Sequence, residues 1–300
     1  MAPRGSRTLA STHGEAYVSL EDVAWRGVAG RSPRRAAYNA RMDIYTLHQG
    51  TAPLLISLPH DGSALPEELL PRLTDDARRA PDTDWHVSTL YAFARELGAS
   101  ILVPHHSRYV IDLNRPPDDV SLYPGQNTTG LCPLVQFSGE PVYLDGQAPD
   151  ADEIAQRVER YWRPYHDTLD AELARIRGEH GRVVLWEGHS IRGSVPFLFE
   201  GALPELNLGT AAGASCTPAL QQRLEAVLAA QDRYSHVVNG RFKGGYITRH
   251  YGVPETGVEA VQLELAQHSY MDENSFDYLP ERARALQDTV LRPLLQAALG

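Results

Sequence analysis

Pro53-Leu54-Leu55-Ile56-Ser57-Leu58-Pro59-His60-Asp61-Gly62 decides how the rest of the chain is read. Leu54 to Leu58 is a short apolar run of the kind that forms a buried strand, and the Pro59 to Gly62 turn stops it and delivers His60 at its end. The same arrangement returns at Val183 to Trp186, a second buried strand followed directly by Glu187-Gly188-His189-Ser190, so a second histidine leaves a strand end. Ile101 to Val103 and Tyr109 to Leu113 read as two further strands, separated by a polar turn at His105, His106 and Ser107. Val258 to Leu265 alternates, which puts Val261, Leu263 and Leu265 opposite Gln262 and Glu264.

Helical spacing fills the intervals. Thr83 to Leu97 carries Val87, Leu90, Tyr91, Phe93, Ala94 and Leu97 on one stripe, with Asp82 or Thr83 placed to cap it. Asp150 opens a long amphipathic helix running through Ile154, Tyr161, Leu169 and Ile176, with Pro164 as a kink, and Thr217 to Ala230 and Pro280 to Leu299 are helical by period. Strands interleaved with helices predict an α/β fold in a single domain, with the site at strand ends outside the sheet.

Composition narrows the functional classes. The 300 residues hold 28 Lys and Arg against 38 Asp and Glu, a formal charge of −10, which offers no bulk field for nucleic acid or anionic lipid. Any anion must therefore meet a local cluster of arginines. Cys132 and Cys216 stand outside any CxxC pattern, which excludes a disulfide framework and a zinc ribbon and agrees with a reducing cytoplasm. No run approaches the roughly 20 apolar residues of a spanning helix, and no signal-peptide core appears, so neither a membrane nor export is expected. Residues 1–41 scatter seven arginines among Ala, Gly and Ser with little periodicity and read as a loose N-terminal arm. The change to dense patterning at Met42 makes that methionine a candidate start and 42–300 the folded domain.

Chemistry concentrates at the strand ends. A catalytic zinc takes about three nitrogen or oxygen ligands and keeps a position for water, and His60 and His189 are each posted where such ligands converge. Either histidine alone is more often a hydrogen-bonded structural residue; the pair, each leaving an apolar strand beside glycine, favours a metal. The third ligand is not named by spacing, since neither HExxH nor HxxE occurs; Asp84 is the first choice, with Glu67, Glu68 and His86 behind it. Against Asp84 stands a helix-capping role in a first turn. Glu264 lies in an otherwise apolar strand and suits a general base for water, against the alternative of an outward residue on a half-exposed strand. Arg108 and Arg115 bracket the segment Tyr109 to Leu113, with Asn114 beside the second; a guanidinium fork grips carboxylates and stabilises an oxyanion, although a surface ion pair is the commoner use. Asn239 to Arg249 mixes Arg241, Lys243 and Arg249 with glycines in the manner of an anion-binding loop. A competing reading takes Gly188-His189-Ser190-Ile191-Arg192-Gly193 as a nucleophile elbow, one residue too long, with Ser190, Asp232 and His268 as a triad.

Taken together, residues 53–62, Asp-Thr-Asp-Trp-His at 82–86, Ser-Arg-Tyr-Val-Ile-Asp-Leu-Asn-Arg-Pro-Pro at 107–117, Gly-His-Ser-Ile-Arg at 188–192, Asn-Gly-Arg-Phe-Lys-Gly-Gly-Tyr-Ile-Thr-Arg-His-Tyr-Gly at 239–252 and Gln-Leu-Glu-Leu-Ala-Gln at 262–267 resemble, in order, the N-formylglutamate amidohydrolase family. The likeness runs from about Met42 to the C-terminus. It implies a mixed sheet flanked by helices, similar to zinc carboxypeptidases and aspartoacylases, and a deformylase of histidine degradation. It also implies one divalent metal, zinc, held by His60, Asp84 and His189, with Glu264 as base and Arg108 polarising the scissile carbonyl. Asn114 and Arg115 then grip one carboxylate of a small dicarboxylate substrate, and Arg192 or Arg241 the other. The chain departs from the carboxypeptidase pattern at Ser63, where those enzymes place an acidic ligand three residues after the first histidine. Rival readings are a zinc hydrolase of another N-acyl amino acid and a carboxylate-binding protein without turnover.

Overall fold

Seven strands lie in one sheet in a computed structural model that describes residues 44–121, 125 and 128–300. The N-terminal arm expected at 1–41 lies outside the described residues. In chain order the strands are β1 Tyr45–His48, β2 Leu54–Ser57, β3 Ser100–Pro104, β4 Val183–Ile191, β5 Leu206–Gly209, β6 His236–Val238 and β7 Val258–Ala266. Across the sheet they run β1-β3-β2-β4-β7-β5-β6. β3, β2, β4 and β7 are mutually parallel, β1 is antiparallel to β3, and β5 is antiparallel to β7 while parallel to β6. The sheet is thus mixed, and helices cover both faces.

Period two divides the core. Leu54, Ile56, Val184, Trp186, Val261 and Leu263 point to one face, against the helix Pro218–Ala229 and the C-terminal helices. Leu55, Val183, Leu185, Val258 and Ala260 point to the other, against Leu169, Leu173 and Ile176 of the helix Arg163–His180. Strands that must be apolar on both faces read as continuous hydrophobic runs, which is why β2 and the first half of β4 are legible. Among the described residues no helix is long and apolar enough to cross a membrane, and Cys132 and Cys216 are buried free thiols.

Three expected elements differ. The helix expected over Thr83 to Leu97 is a short α-helix Val87–Leu90 followed by a 3-10 segment Ala92–Leu97. His86 sits at φ +66°, in the left-handed region, which breaks any helix through residue 86. The cap is not Asp82 or Thr83: Asp61 Oδ1 accepts from Ser88 N at 2.8 Å, while Asp82 Oδ2 accepts from Phe137 N at 2.8 Å. Tyr109 to Leu113 is not a strand but a pair of turns, with Val110 N donating to Ser107 O and Arg115 N to Asp112 O. Its apolar side chains are buried all the same, which is what gives it the look of a strand. The strand expected to end at Trp186 continues to Ile191, so Glu187, His189 and Ser190 lie within β4. The long helix behaves as expected at its start, where Asp150 caps Glu153 N at 2.9 Å. Before Pro164 it widens into a π turn over Val158–Trp162, which accommodates a residue with no N–H to donate.

Candidate metal and substrate site

The site begins where one face of the sheet stops being apolar. Along β4 that face reads Val183, Leu185, Glu187, His189, and along β7 it reads Val258, Ala260, Gln262, Glu264. The change falls at the same level in both strands, since Glu187 is in register with Gln262 and His189 with Glu264. β2 lies on the other side of β4, with Ser57 opposite Glu187, and the turn after β2 brings His60 to the same end. This is the C-terminal edge of the parallel strands, where open α/β sheets place their ligands.

His60, Asp84 and His189, all buried, each offer one donor atom, and these atoms lie within 4.8 Å of one another. Nδ1 of His189 is 3.0 Å and Nδ1 of His60 3.8 Å from Asp84 Oδ2. The opposite ring nitrogens are anchored by carboxylates: His60 Nε2 lies 2.7 Å from Asp112 Oδ1, and His189 Nε2 lies 3.0 Å from Glu187 Oε1. The carboxylate behind each imidazole is placed to accept an Nε2 hydrogen and so leave Nδ1 available on the side of Asp84, the support that metal-ligating histidines commonly have. Two nitrogens and one oxygen suit zinc with positions left for water and substrate. Glu67 and Glu68 are exposed, and His86 is engaged through Nε2 with Phe276 O at 2.7 Å, so none of these alternatives joins the cluster.

Arg108 stands beside this cluster, nearly buried. Its Nη2 donates to Asp112 Oδ2 at 2.6 Å, Nη1 is 3.3 Å from His60 Nδ1, and its guanidinium carbon lies 4.7 Å from the centroid of the Phe137 ring. Burial alone would raise the Asp112 carboxyl, but the facing His60, Arg108 and Arg115 hold it well below the usual carboxylate range. Burial pushes Glu264 the other way, up to about 8, against the pull of His189.

A single cavity is lined by the three candidate ligands together with Arg108, Asn114, Arg115, Arg241 and Glu264. Arg192 is not among them: it lines the neighbouring cavity, with its guanidinium 5.7 Å from the Phe276 ring. Arg115 spreads its fork over Thr129 O, Thr129 Oγ1 and Asn114 O. Arg241 donates to Leu198 O at 3.2 Å. The basic segment ends in the helix Tyr246–Tyr251, whose first amides are taken by side chains of the site. Gly245 N donates to Gln262 Oε1 at 2.8 Å, Ile247 N to Asn114 Oδ1 at 2.9 Å, and Thr248 N to Glu187 Oε2 at 3.1 Å. The Thr248 hydroxyl donates to the same Glu187 oxygen.

The triad reading of Ser190 finds no base. Ser190 lies inside a strand rather than on an elbow, and its Oγ meets Tyr270 Oη at 2.8 Å and Gln267 Nε2 at 3.4 Å. His268 is on the surface near Glu205 and Glu273, and Asp232 is exposed. Two residues of consequence escape a reading by motif: Asp112, hidden in an apparent strand, and Glu187, hidden between an apolar run and a histidine. The signal for Glu187 is its spacing, two positions before His189 and so on the same face.

The description of the family model matching residues 52–271 is N-formylglutamate amidohydrolase. N-formylglutamate deformylase of Pseudomonas aeruginosa is 54% identical over 259 residues, covering 86% of this chain and 97% of that protein. The deformylase of Pseudomonas putida is 53% identical over 258 residues, with 86% and 96% covered. Among solved structures, N-formylglutamate amidohydrolase from Ralstonia eutropha JMP134 superposes with a TM-score of 0.73 at 25% identity, over 85% of this chain and 97% of that one. The sequence likeness covers the strands and turns that carry the cluster, and the chain belongs to the N-formylglutamate amidohydrolase family.

Proposed function

We propose that this chain hydrolyses N-formyl-L-glutamate to formate and L-glutamate with one divalent metal, zinc by its donor set, at His60, Asp84 and His189. The observation that carries the reading is the gathering of these three donors with Arg108 and Glu264 around one cavity. When bound, the metal supplies a Lewis acid and a water of lowered pKa. Glu264, buried and lining the same cavity as the candidate ligands, is placed to take a proton from the attacking water and return it to the departing amine. Arg108, fixed by Asp112, meets the charge that develops on the formyl oxygen. Asn114 and Arg115 receive one carboxylate of the substrate. Arg241 receives the other in preference to Arg192, because Arg241 lines the site cavity and Arg192 its neighbour. A place in histidine degradation and a cytoplasmic location go with this reading.

The test is formate release from N-formyl-L-glutamate by the purified chain, before and after chelation and with zinc restored. N-acetyl-L-glutamate and N-formyl-L-aspartate are run alongside. Release that is lost on chelation, regained with zinc and selective for the formyl glutamate is the expected result. A metal-loaded protein that releases no formate refutes the reading.

A further inference from the structure

Two cavities meet at Phe137. The site cavity measures about 90 Å³ and its neighbour about 520 Å³, and among the described residues Phe137 alone lines both. The ring is held at the tip of a tight turn in which Gln136 N donates to Glu140 O at 2.8 Å and Gly139 N to Gln136 O at 2.9 Å, closed by pairing of Val135 with Pro141. Its own amide is tied to the buried Asp82 carboxyl at 2.8 Å. One side of the ring packs toward Ile191, Val195 and Leu203, and its face lies 4.7 Å from the guanidinium carbon of Arg108. A ring fixed by backbone, core and a cation stack does not swing aside readily.

We infer that Phe137 is the wall that limits the acyl group of the substrate, closing the site to anything larger than formyl. The inference rests on the deformylase reading above. The amine side of the scissile bond is directed to Asn114, Arg115 and Arg241, which receive carboxylates, while the carbonyl oxygen is directed to Arg108. The remaining substituent of the carbonyl carbon, a hydrogen in the formyl group, is then turned toward the ring that stacks on Arg108. A methyl or propyl group there has to enter the space the ring fills. Behind the ring lies the larger cavity, bounded by Asp82, Gln136, Arg192 and Phe276, which would receive a longer acyl chain once the wall is removed.

The test is kcat/KM for N-formyl-, N-acetyl- and N-butyryl-L-glutamate in the zinc-loaded wild type, Phe137→Ala and Phe137→Leu. Ratios taken within one protein cancel any loss of folded fraction. One methylene in an apolar site is worth about 10- to 200-fold, so the acetyl-to-formyl and butyryl-to-formyl ratios should rise by at least about 10-fold in Phe137→Ala and by less in Phe137→Leu. Unchanged ratios in variants that still release formate overturn the inference. Loss of all turnover in both variants overturns it as well, because it assigns Phe137 to the support of Arg108 instead of acyl selection. A wild type that releases no formate fails the deformylase reading itself, a separate result read before either variant.

Discussion

Replacing Glu187 by glutamine changes one oxygen to an NH2 group and almost nothing else, yet the structure predicts a large loss of metal affinity. Glu187 is fully buried and uses both oxygens: Oε1 at 3.0 Å from His189 Nε2, and Oε2 as acceptor for Thr248 N at 3.1 Å and for the Thr248 hydroxyl. Asn114 Nδ2 also lies 3.1 Å from His189 Nε2, but its orientation is fixed by Oδ1 accepting from Ile247 N. Only Glu187 can therefore accept the Nε2 hydrogen. An amide cannot serve both ends. With its oxygen toward Thr248, its NH2 faces His189 Nε2, which must give up its hydrogen and carry the proton on Nδ1, the atom needed for the metal. With its oxygen toward His189, its NH2 faces the Thr248 amide, and a buried donor goes unpaired at about 1–3 kcal/mol. Loss of such a partner typically weakens metal binding by about 10- to 100-fold, or about 1.4–2.7 kcal/mol. Zinc affinity would be measured by competition with a chromophoric chelator, with circular dichroism of the metal-free protein to show that both forms are folded. Folded Glu187→Gln protein that binds zinc as tightly as wild type would refute the carboxylate–histidine argument.

Glu264→Gln should retain zinc but lose about 10²- to 10⁴-fold in kcat, as removal of a general base does; a near-wild-type kcat sinks that assignment. In metal-free protein the folded pKa of Glu264, about 8, exceeds its ordinary 4.5, so its stabilising contribution is complete below about pH 4.5 and is lost as the pH rises through 8. The melting temperature of metal-free Glu264→Gln should accordingly gain on wild type between pH 5 and pH 9, and a constant difference contradicts the burial of that carboxyl. Arg241→Ala should raise KM at least about 10-fold with kcat less affected, the pattern of lost ground-state binding; an unchanged KM removes Arg241 from the substrate. Gly245→Ala places a Cβ 2.3 Å from Asn114 Nδ2, and Asn114 can yield only by releasing Ile247 N. KM should rise through displacement of Asn114 while the fold persists, and an unchanged KM contradicts the assigned role of Asn114.

Much of this was legible in the sequence because the parallel strands are buried on both faces. Leu54 to Leu58 and Val183 to Trp186 announce themselves as strands, and the histidines that follow them meet Asp84 in one cluster. The errors share a cause. Tyr109 to Leu113 and Thr83 to Leu97 are apolar because they are buried, and burial alone does not fix backbone conformation when Asp112 and Asp61 hold turns through side-chain bonds. Arg192, an alternative to Arg241 for the second carboxylate, is close to His189 in sequence, but it follows the end of β4 and lines the neighbouring cavity. Asp112 and Glu187 form no motif because their work is done through histidines brought near by folding.

The placement of polar residues also ties the parts of the site to one another. Ser57, Glu187, Gln262 and Glu264 occupy positions that, two residues earlier on each strand, hold Leu55, Leu185, Ala260 and Gln262 in turn, so the polar layer is a direct continuation of the packed core. A buried polar layer is tolerable only if its members satisfy one another. Here Asp112 serves His60, Arg108 and the Asn114 amide, Asn114 serves the helix Tyr246–Tyr251, and Glu187 joins that same helix to His189. The candidate metal ligands and the loop carrying Arg241 are therefore parts of one hydrogen-bonded assembly. Under the proposed reading, these bonds would couple the position of the carboxylate-binding side to that of the metal ligands, so that the fold itself would set the distance between a carboxylate grip and a reacting carbonyl.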